Sequence, residues 1–272
     1  MTRRKKIIVD TVICLLIGAV ASLLVVLLLP GTVTRELDNR LPDLIEDVRP
    51  AVVHIAKLGE CQGSGCLISA DGIIFTAKHV SDGQPGDYEV TLDDGRKFKV
   101  KPGYVLEDKE NDVTFMQLDL AGHEPNLPCA TLAKEDVLRV GDSVLIMGSP
   151  LGSDNFNSVS MGILSATGRD LYNRRGWESA RRFSWHVMLQ TTSPAFPGNS
   201  GGPVFNMTGE VIGVLVAGQA ETLNFSVPVA RFADTIDAVR THFRLCRFNV
   251  VDETEVEEVP GVYSIGSSYQ CH

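Results

Sequence analysis

Between Val48 and Val229 the chain reads as short apolar runs set off by turn residues. The runs are AVVHIAK (51–57), GCLISADGIIFTA (65–77), YEVTLDDGRKFKV (88–100), DVTFMQLDL (112–120), SVLIMG (143–148), SVSMGILSA (158–166), WHVMLQT (185–191), GPVFNMTGEVIGVLVA (202–217) and LNFSVPV (223–229). They are rich in Val, Ile, Phe and Thr, and turn residues interrupt them before a helix could form. Asp71-Gly72, Asp94-Gly95 and Thr208-Gly209 stand between such runs as hairpin turns. Many short strands without helix-period segments between them predict an all-β antiparallel barrel or sandwich, not a βαβ fold. One helix is predicted in the body, over about 229–243, where Phe232, Ile236, Val239 and Phe243 recur at helical spacing after Pro228. No internal repeat of solenoid or propeller length is present.

A different pattern precedes the body. Thr11 to Leu29 is 19 residues without a charge, closed by Pro30 and Gly31. As a helix it would cross a hydrocarbon core of about 30 Å. Arg3, Arg4, Lys5 and Lys6 flank it, so the positive-inside rule keeps the N-terminus cytoplasmic and exports the rest. The rival reading is a cleaved signal peptide, for which Ala19-Val20-Ala21 offers a site. Leu23 to Leu29 continue past that site without a polar break, which favours an uncleaved single-pass anchor over residues 1–30. Residues 31–46 are polar and read as a linker leading into a short helix. The body then spans 47–244. Residues 245–272 form a tail whose run DETEVEE (252–258) reads as solvated.

Composition adds two constraints. Hydrophobic residues make up 44% and charged residues 22% of 272, which are globular values. Residues 1–30 hold four of the 25 basic and one of the 34 acidic residues, which leaves 21 against 33 and a net of −12 for the remainder. An acidic body lacks the basic footprint that nucleic acid requires, so no nucleic-acid partner is expected. Six cysteines occur, one of them (Cys14) in the apolar run. An exported body permits disulfides, and Cys61–Cys66 and Cys246–Cys271 are the pairs to test first. Cys66 and Cys129 as small buried apolar residues fit equally, and the connectivity stays open. No CxxC pair or other metal-ligating constellation is present, and neither metal nor cofactor is expected.

Three clusters carry candidate chemistry: Thr76-Ala77-Lys78-His79-Val80, Asn111-Asp112 at a strand start, and Pro197-Gly198-Asn199-Ser200-Gly201-Gly202-Pro203. Glycine on both sides of a serine permits a tight turn that aims the N–H groups of Gly198 and Ser200 at one point, as an oxyanion hole does. A Gly-rich hairpin turn with an incidental serine fits the same string. A serine nucleophile also needs a base and an orienting carboxylate. His79, at a strand end, is the strongest of six histidines. His54 and His186 sit within strands, His123 in a loop, His242 on the helix and His272 at the end. Asp112 is the favoured carboxylate, with Asp108 as competitor in the same polar loop. The chain order His79, Asp112, Ser200 is that of the two-barrel serine proteases, against other orders elsewhere.

These residues resemble the trypsin-like serine proteases of the HtrA/Deg family. The resemblance rests on TAKHV, on ND at a strand start and on PGNSGGPV. VRPAVVHI…GSGCLISADGIIFTAKHV, VGDSVLIMGSPLG, MGILSATGRD and GEVIGVLVA…LNFSVPVA extend it over about residues 42–243. It implies two six-stranded antiparallel β-barrels, here about 47–130 and 136–230, with the site between them. It also implies Ser200 as nucleophile, His79 as general base, Asp112 as its support, and Gly198 and Ser200 as oxyanion donors. Trimers built on the protease domain are a further implication.

The chain departs in several places from the pattern of the trypsin-like proteases. Asn199, not Asp, precedes the serine, which argues against activation by clipping and is HtrA-like. Thr191-Thr192-Ser193-Pro194-Ala195-Phe196 replaces the usual T-D-A-A-I-N, placing Pro194 and Phe196 at the expected substrate-pocket wall. No acidic residue stands at the expected pocket base, which predicts a preference for small or medium aliphatic P1 residues. After Phe243 only 29 residues remain, so a PDZ domain is not expected in this chain. The expectation is a membrane-anchored serine endopeptidase with an extracytoplasmic domain acting on protein or peptide substrates. A catalytically silent scaffold on the same fold and an acyl esterase are the alternatives.

Overall fold

In a β-barrel every second side chain fills the interior, and β-branched and aromatic residues suit that pleated surface. Six strands close the first barrel: β1 (Val52–Lys57), β2 (Glu60–Leu67), β3 (Ile73–Ala77), β4 (Tyr88–Thr91), β5 (Lys97–Asp108) and β6 (Val113–Asp119). Their order is β5-β4-β1-β2-β3-β6, and pairing of β5 with β6 completes the circle. β4 alternates in the expected way, with Tyr88 and Val90 inward. β3 is buried at every position and β6 at all but its last. The reason is a cover on the outer face. Phe75 and Phe115 face each other across β3 and β6, and Phe232 packs edge-on against both, at centroid distances of 6.2 and 6.1 Å.

Phe232 leads into the helix Ala233–Arg247, whose Ile236, Val239 and Phe243 are buried. The periodicity predicted this face, and the helix runs four residues further than expected. The computed structural model describes residues 17, 20, 40–57, 60–81, 88–108, 111–120, 122, 126–134, 138–173, 181, 185–247 and 262–264. The expected anchor falls outside these apart from Ile17 and Val20. Among the described residues no helix is long and apolar enough to cross a membrane.

A two-residue strand, β7 (Thr131–Leu132), runs parallel to a strand of the second barrel. That barrel comprises β8 (Ser143–Gly148), β9 (Ser158–Arg169), β10 (Met188–Thr191), β11 (Pro203–Asn206), β12 (Glu210–Ala220) and β13 (Leu223–Pro228). The order is β11-β8-β9-β10-β13-β12, closed by pairing of β11 with β12. Val144, Ile146, Leu164, Leu189, Val204, Ile212 and Leu215 form its core. Both barrels lie within one compact unit, residues 46–272. Residues 1–45 form a second unit, of which 17, 20 and 40–45 are described, all helical.

Two expectations change. Cys61 and Cys66 sit five positions apart on one strand, about 16 Å in extended chain and far beyond disulfide reach of about 4.4–6.8 Å. Cys66 is a free buried thiol and Cys129 a free exposed one. Burial pushes the Cys66 thiol well above the ordinary range. The side chain of Cys246 and all of Cys271 lie outside the described residues. The tail, in which no strand was expected, contributes β14 (Val262–Ser264), which pairs antiparallel with Leu106–Asp108 of β5, while its acidic run 252–258 lies outside the described residues.

Candidate active site

The register of barrel 1 explains how two residues 33 positions apart meet. β3 and β6 are neighbours, with Ala77 opposite Val113. The residues just outside that pair therefore face each other. His79 lies in the 3₁₀ turn Lys78–Val80 that follows β3, and Asp112 in the turn that precedes β6. His79 Nδ1 lies 3.2 Å from Asp112 Oδ2, and His79 N–H donates to Asp112 Oδ1 at 3.3 Å. Lys78 N–H donates to the Asp112 carbonyl at 3.0 Å.

Asp112 is fully buried, whereas about a third of the His79 side chain is exposed. Burial pushes the Asp112 carboxyl above the ordinary carboxylate range, and the His79 hydrogen bonds and nearby positive charge pull against that. Asp108, the competitor, accepts two bonds from Asn111, from N–H at 3.1 Å and Nδ2 at 2.8 Å, and so shapes the turn that delivers Asp112.

Ser200 comes from barrel 2, in the turn before β11. The two barrels touch here through bare backbone. A Cβ at Gly63 of β2 would come within 2.7 Å of the Ser200 carbonyl and 2.8 Å of Val80, beside His79. Gly201 backs onto Thr76 and Ala77 in the same way. Ser64 N–H donates to the Ser200 carbonyl at 2.8 Å, and Gly201 N–H to the Leu215 carbonyl at 2.7 Å. Among the described residues, the N–H groups of Gly198 and Ser200 donate to no protein acceptor.

Beside Ser200 opens a cavity of about 600 Å³, walled by Trp185, Ala195, Phe196, Leu215 and Val216 among others. Phe196 lines this cavity together with Ser200. Pro194 does not line the cavity. It is exposed, and its carbonyl is drawn aside by Ser160 Oγ at 2.6 Å. Trp185, Glu221 and Asn224 line the cavity unforeseen. Trp185 read as one more strand residue, and Glu221 and Asn224 flank the turn joining β12 to β13. Asn224 is buried and spends both amide hydrogens on the carbonyls of Ser193 (2.8 Å) and Glu221 (2.7 Å). The other histidines have other partners. His54 faces Ser149 Oγ at 3.0 Å, and His186 stacks on Tyr172 beside Asp170.

Residues 63–214 match the family model of the trypsin-like peptidase domain. A probable periplasmic serine endoprotease, DegP-like, of Pseudomonas savastanoi is 36% identical over 190 residues, covering 68% of this chain and 36% of that protein. The putative protease Do-like 14 of Arabidopsis thaliana is 34% identical over 215 residues, 72% of this chain and 46% of that one. The chain thus spans under half the length of these relatives. The solved HtrA-type protease AlgW with tripeptide superposes with a TM-score of 0.60 at 28% identity, over 74% of this chain and 64% of that one. The serine endoprotease from Yersinia pestis gives 0.56 at 27% identity, over 72% and 65%. Two closed six-stranded barrels and the family match that spans their junction make the chain a member of the trypsin-like peptidase family.

Proposed function

We propose that the body is a serine endopeptidase working through Ser200, His79 and Asp112. The observation that carries this reading is the paired His79 and Asp112 of barrel 1, held against the Ser200 turn of barrel 2 beside a largely apolar cavity. Ser200 Oγ attacks the scissile carbonyl carbon while His79 Nε2 takes its proton. Asp112 accepts the Nδ1–H, fixes the tautomer and stabilises the imidazolium. The tetrahedral oxyanion is held by the N–H groups of Gly198 and Ser200, which have no acceptor among the described residues. His79 then protonates the leaving amine. Water, deprotonated by the same imidazole, hydrolyses the acyl-enzyme and returns the proton to Ser200. The cavity would take P1. Most of its walls are apolar and the Asn224 amide spends its hydrogens on main chain, which supports small to medium aliphatic side chains there, with Gln219 and Glu221 as the polar part of the lining.

We further propose an extracytoplasmic body on a single-pass anchor. The uncharged run Thr11 to Leu29 behind Arg3 to Lys6 supports this, as do periplasmic relatives. The trimer that the resemblance implies is part of the same proposal, checked by sedimentation of the chain in detergent. The decisive test is a peptide-library digest. Wild type is expected to cleave after aliphatic residues and to take up a fluorophosphonate probe, and Ser200→Ala to do neither. A wild type inert to both would mean a silent scaffold. Ester turnover without peptide turnover would mean an esterase.

A further inference from the structure

All four carbonyls of the segment Pro197–Ser200 have donors. Pro197 O accepts from Leu151 N–H at 2.7 Å, Asn199 O from Gly202 N–H at 2.9 Å and Ser200 O from Ser64 N–H at 2.8 Å. Gly198 O accepts from Ser64 Oγ at 2.7 Å. In a trans peptide the N–H points opposite to the carbonyl of the same unit. The Pro197 and Asn199 carbonyls therefore fix where the N–H groups of Gly198 and Ser200 point. The unit between them, Gly198–Asn199, links the two. Were it to rotate, the dihedrals on both sides would change and the two N–H groups would lose their common focus.

The N–H of that middle unit, on Asn199, donates to the Phe196 carbonyl at 3.0 Å, and its carbonyl is held by a side chain from the other barrel. Ser64 is on β2 and fully buried. Its Oγ accepts from Ser149 N–H at 2.9 Å, which leaves its own hydrogen for the Gly198 carbonyl. Ser149 Oγ lies 3.0 Å from Nδ1 of His54, which is only 5% exposed on β1. The turn's own side chain gives less help. Asn199 Oδ1 is buried and finds no hydrogen-bond partner among the described residues. Gly148 makes the approach feasible, since a Cβ there would stand 2.7 Å from Ser64 Oγ and 2.9 Å from Asn199 Oδ1.

We propose that Ser64 is a positioning residue for the reaction: its hydroxyl, oriented by Ser149 and His54, locks the Gly198–Asn199 peptide so that both oxyanion N–H groups converge. This rests on the reading of the Ser200 turn given above. Barrel 1 would then supply the alignment of the oxyanion hole as well as the base.

The test uses the full chain and three variants, Ser64→Ala, Ser64→Cys and Ser149→Ala. Each is assayed with a fluorogenic peptide carrying an aliphatic P1 residue and with a peptidyl boronate, whose tetrahedral adduct needs the same two N–H groups. Losing one oxyanion donor typically lowers turnover about 10²–10³-fold, so misaligning a pair should cost about 10–100-fold. Ser64→Ala is expected to show that fall in kcat, with KM within about twofold and boronate affinity falling in step. Ser64→Cys, similar in shape but a weak donor, should recover part of it. Ser149→Ala keeps the N–H to Ser64 and loses only the His54 contact, so it should fall between wild type and Ser64→Ala. Should Ser64→Ala not fold, the other two variants still decide. Turnover and boronate affinity within twofold of wild type in every folded variant would overturn the proposal. So would a fall in kcat that leaves boronate affinity untouched. A wild type that neither turns over peptide nor labels with fluorophosphonate would instead overturn the reading of the site itself, and this inference with it.

Discussion

Asp112 shows how one residue can be chosen by backbone, burial and chemistry at once. Its φ of 55° lies in the left-handed region, where Asp and Asn are the side chains best tolerated. It is fully buried, and burial raises its pKa, so its ionised form opposes folding. A carboxyl whose pKa is raised on folding favours the native state below its ordinary pKa and loses that contribution as pH rises through the native value. Asp112→Asn keeps the backbone preference and an acceptor for His79 N–H, and removes the buried charge. We expect kcat to fall about 10³–10⁴-fold, because the amide stabilises the wrong imidazole tautomer. The thermal midpoint at neutral pH should rise, and the gain should shrink as pH is lowered. Steady-state kinetics and calorimetry on the same samples check both. An unchanged kcat would remove Asp112 from the mechanism. Short motifs made His79, Asp112 and Ser200 legible in the sequence. Trp185, Glu221 and Asn224 were not, because a pocket wall is assembled from strands distant in sequence and carries no local signal.

At the scale of elements, period and turn chemistry carried most of the information. The runs from AVVHIAK to LNFSVPV became strands, and the Phe232–Phe243 stripe became the buried helix face. The shortest pieces escaped. β7 has two residues and β14 three, too few for any period to show, and both exist only because a neighbouring strand offers unpaired backbone groups. The Cys61–Cys66 pairing failed because proximity in sequence is not proximity on an extended strand.

Glycines give a matching contrast, since similar dihedrals can cost very different amounts. Gly95 has a φ of 83° in a hairpin turn with nothing within 4 Å of an added Cβ. Gly201 has a φ of 82° with Thr76 Oγ1, the Ser64 carbonyl and Ala77 N–H packed against it. Gly95→Ala should therefore cost only backbone strain, about 1 kcal/mol. Gly201→Ala adds overpacking between the barrels and should cost about 2–4 kcal/mol. Urea denaturation of the two variants measures the difference. Equal losses would mean that the barrel junction is loose enough to give way.

For the whole molecule, the junction of the barrels is where function and stability meet. His79 and Asp112 come from one barrel and Ser200 from the other, so the proposed site requires both to be closed and docked. His54 belongs to the same junction through Ser149. Burial holds its imidazole below the ordinary value, Lys97 adds to that and Glu89 opposes it. Burial does the same to His242 on the C-terminal helix. An imidazole lowered on folding binds fewer protons in the native state than in the unfolded chain. The native state is then not penalised above the ordinary histidine pKa of about 6.5, and loses ground as pH falls through it. The loss levels off below the native pKa values. Exposed carboxylates such as Glu89, held down by its hydrogen bond from Lys97, come into play only below about pH 4.5 and contribute little through solvent. Urea midpoints between about pH 5 and pH 8 should accordingly be flat at the alkaline end and fall toward the acid end, the fall being reduced where protonation of Asp112 works in the opposite sense. His54→Gln together with His242→Gln should flatten that fall, because glutamine retains hydrogen-bonding capacity without titrating. A double variant as steep as wild type would place the acid sensitivity elsewhere.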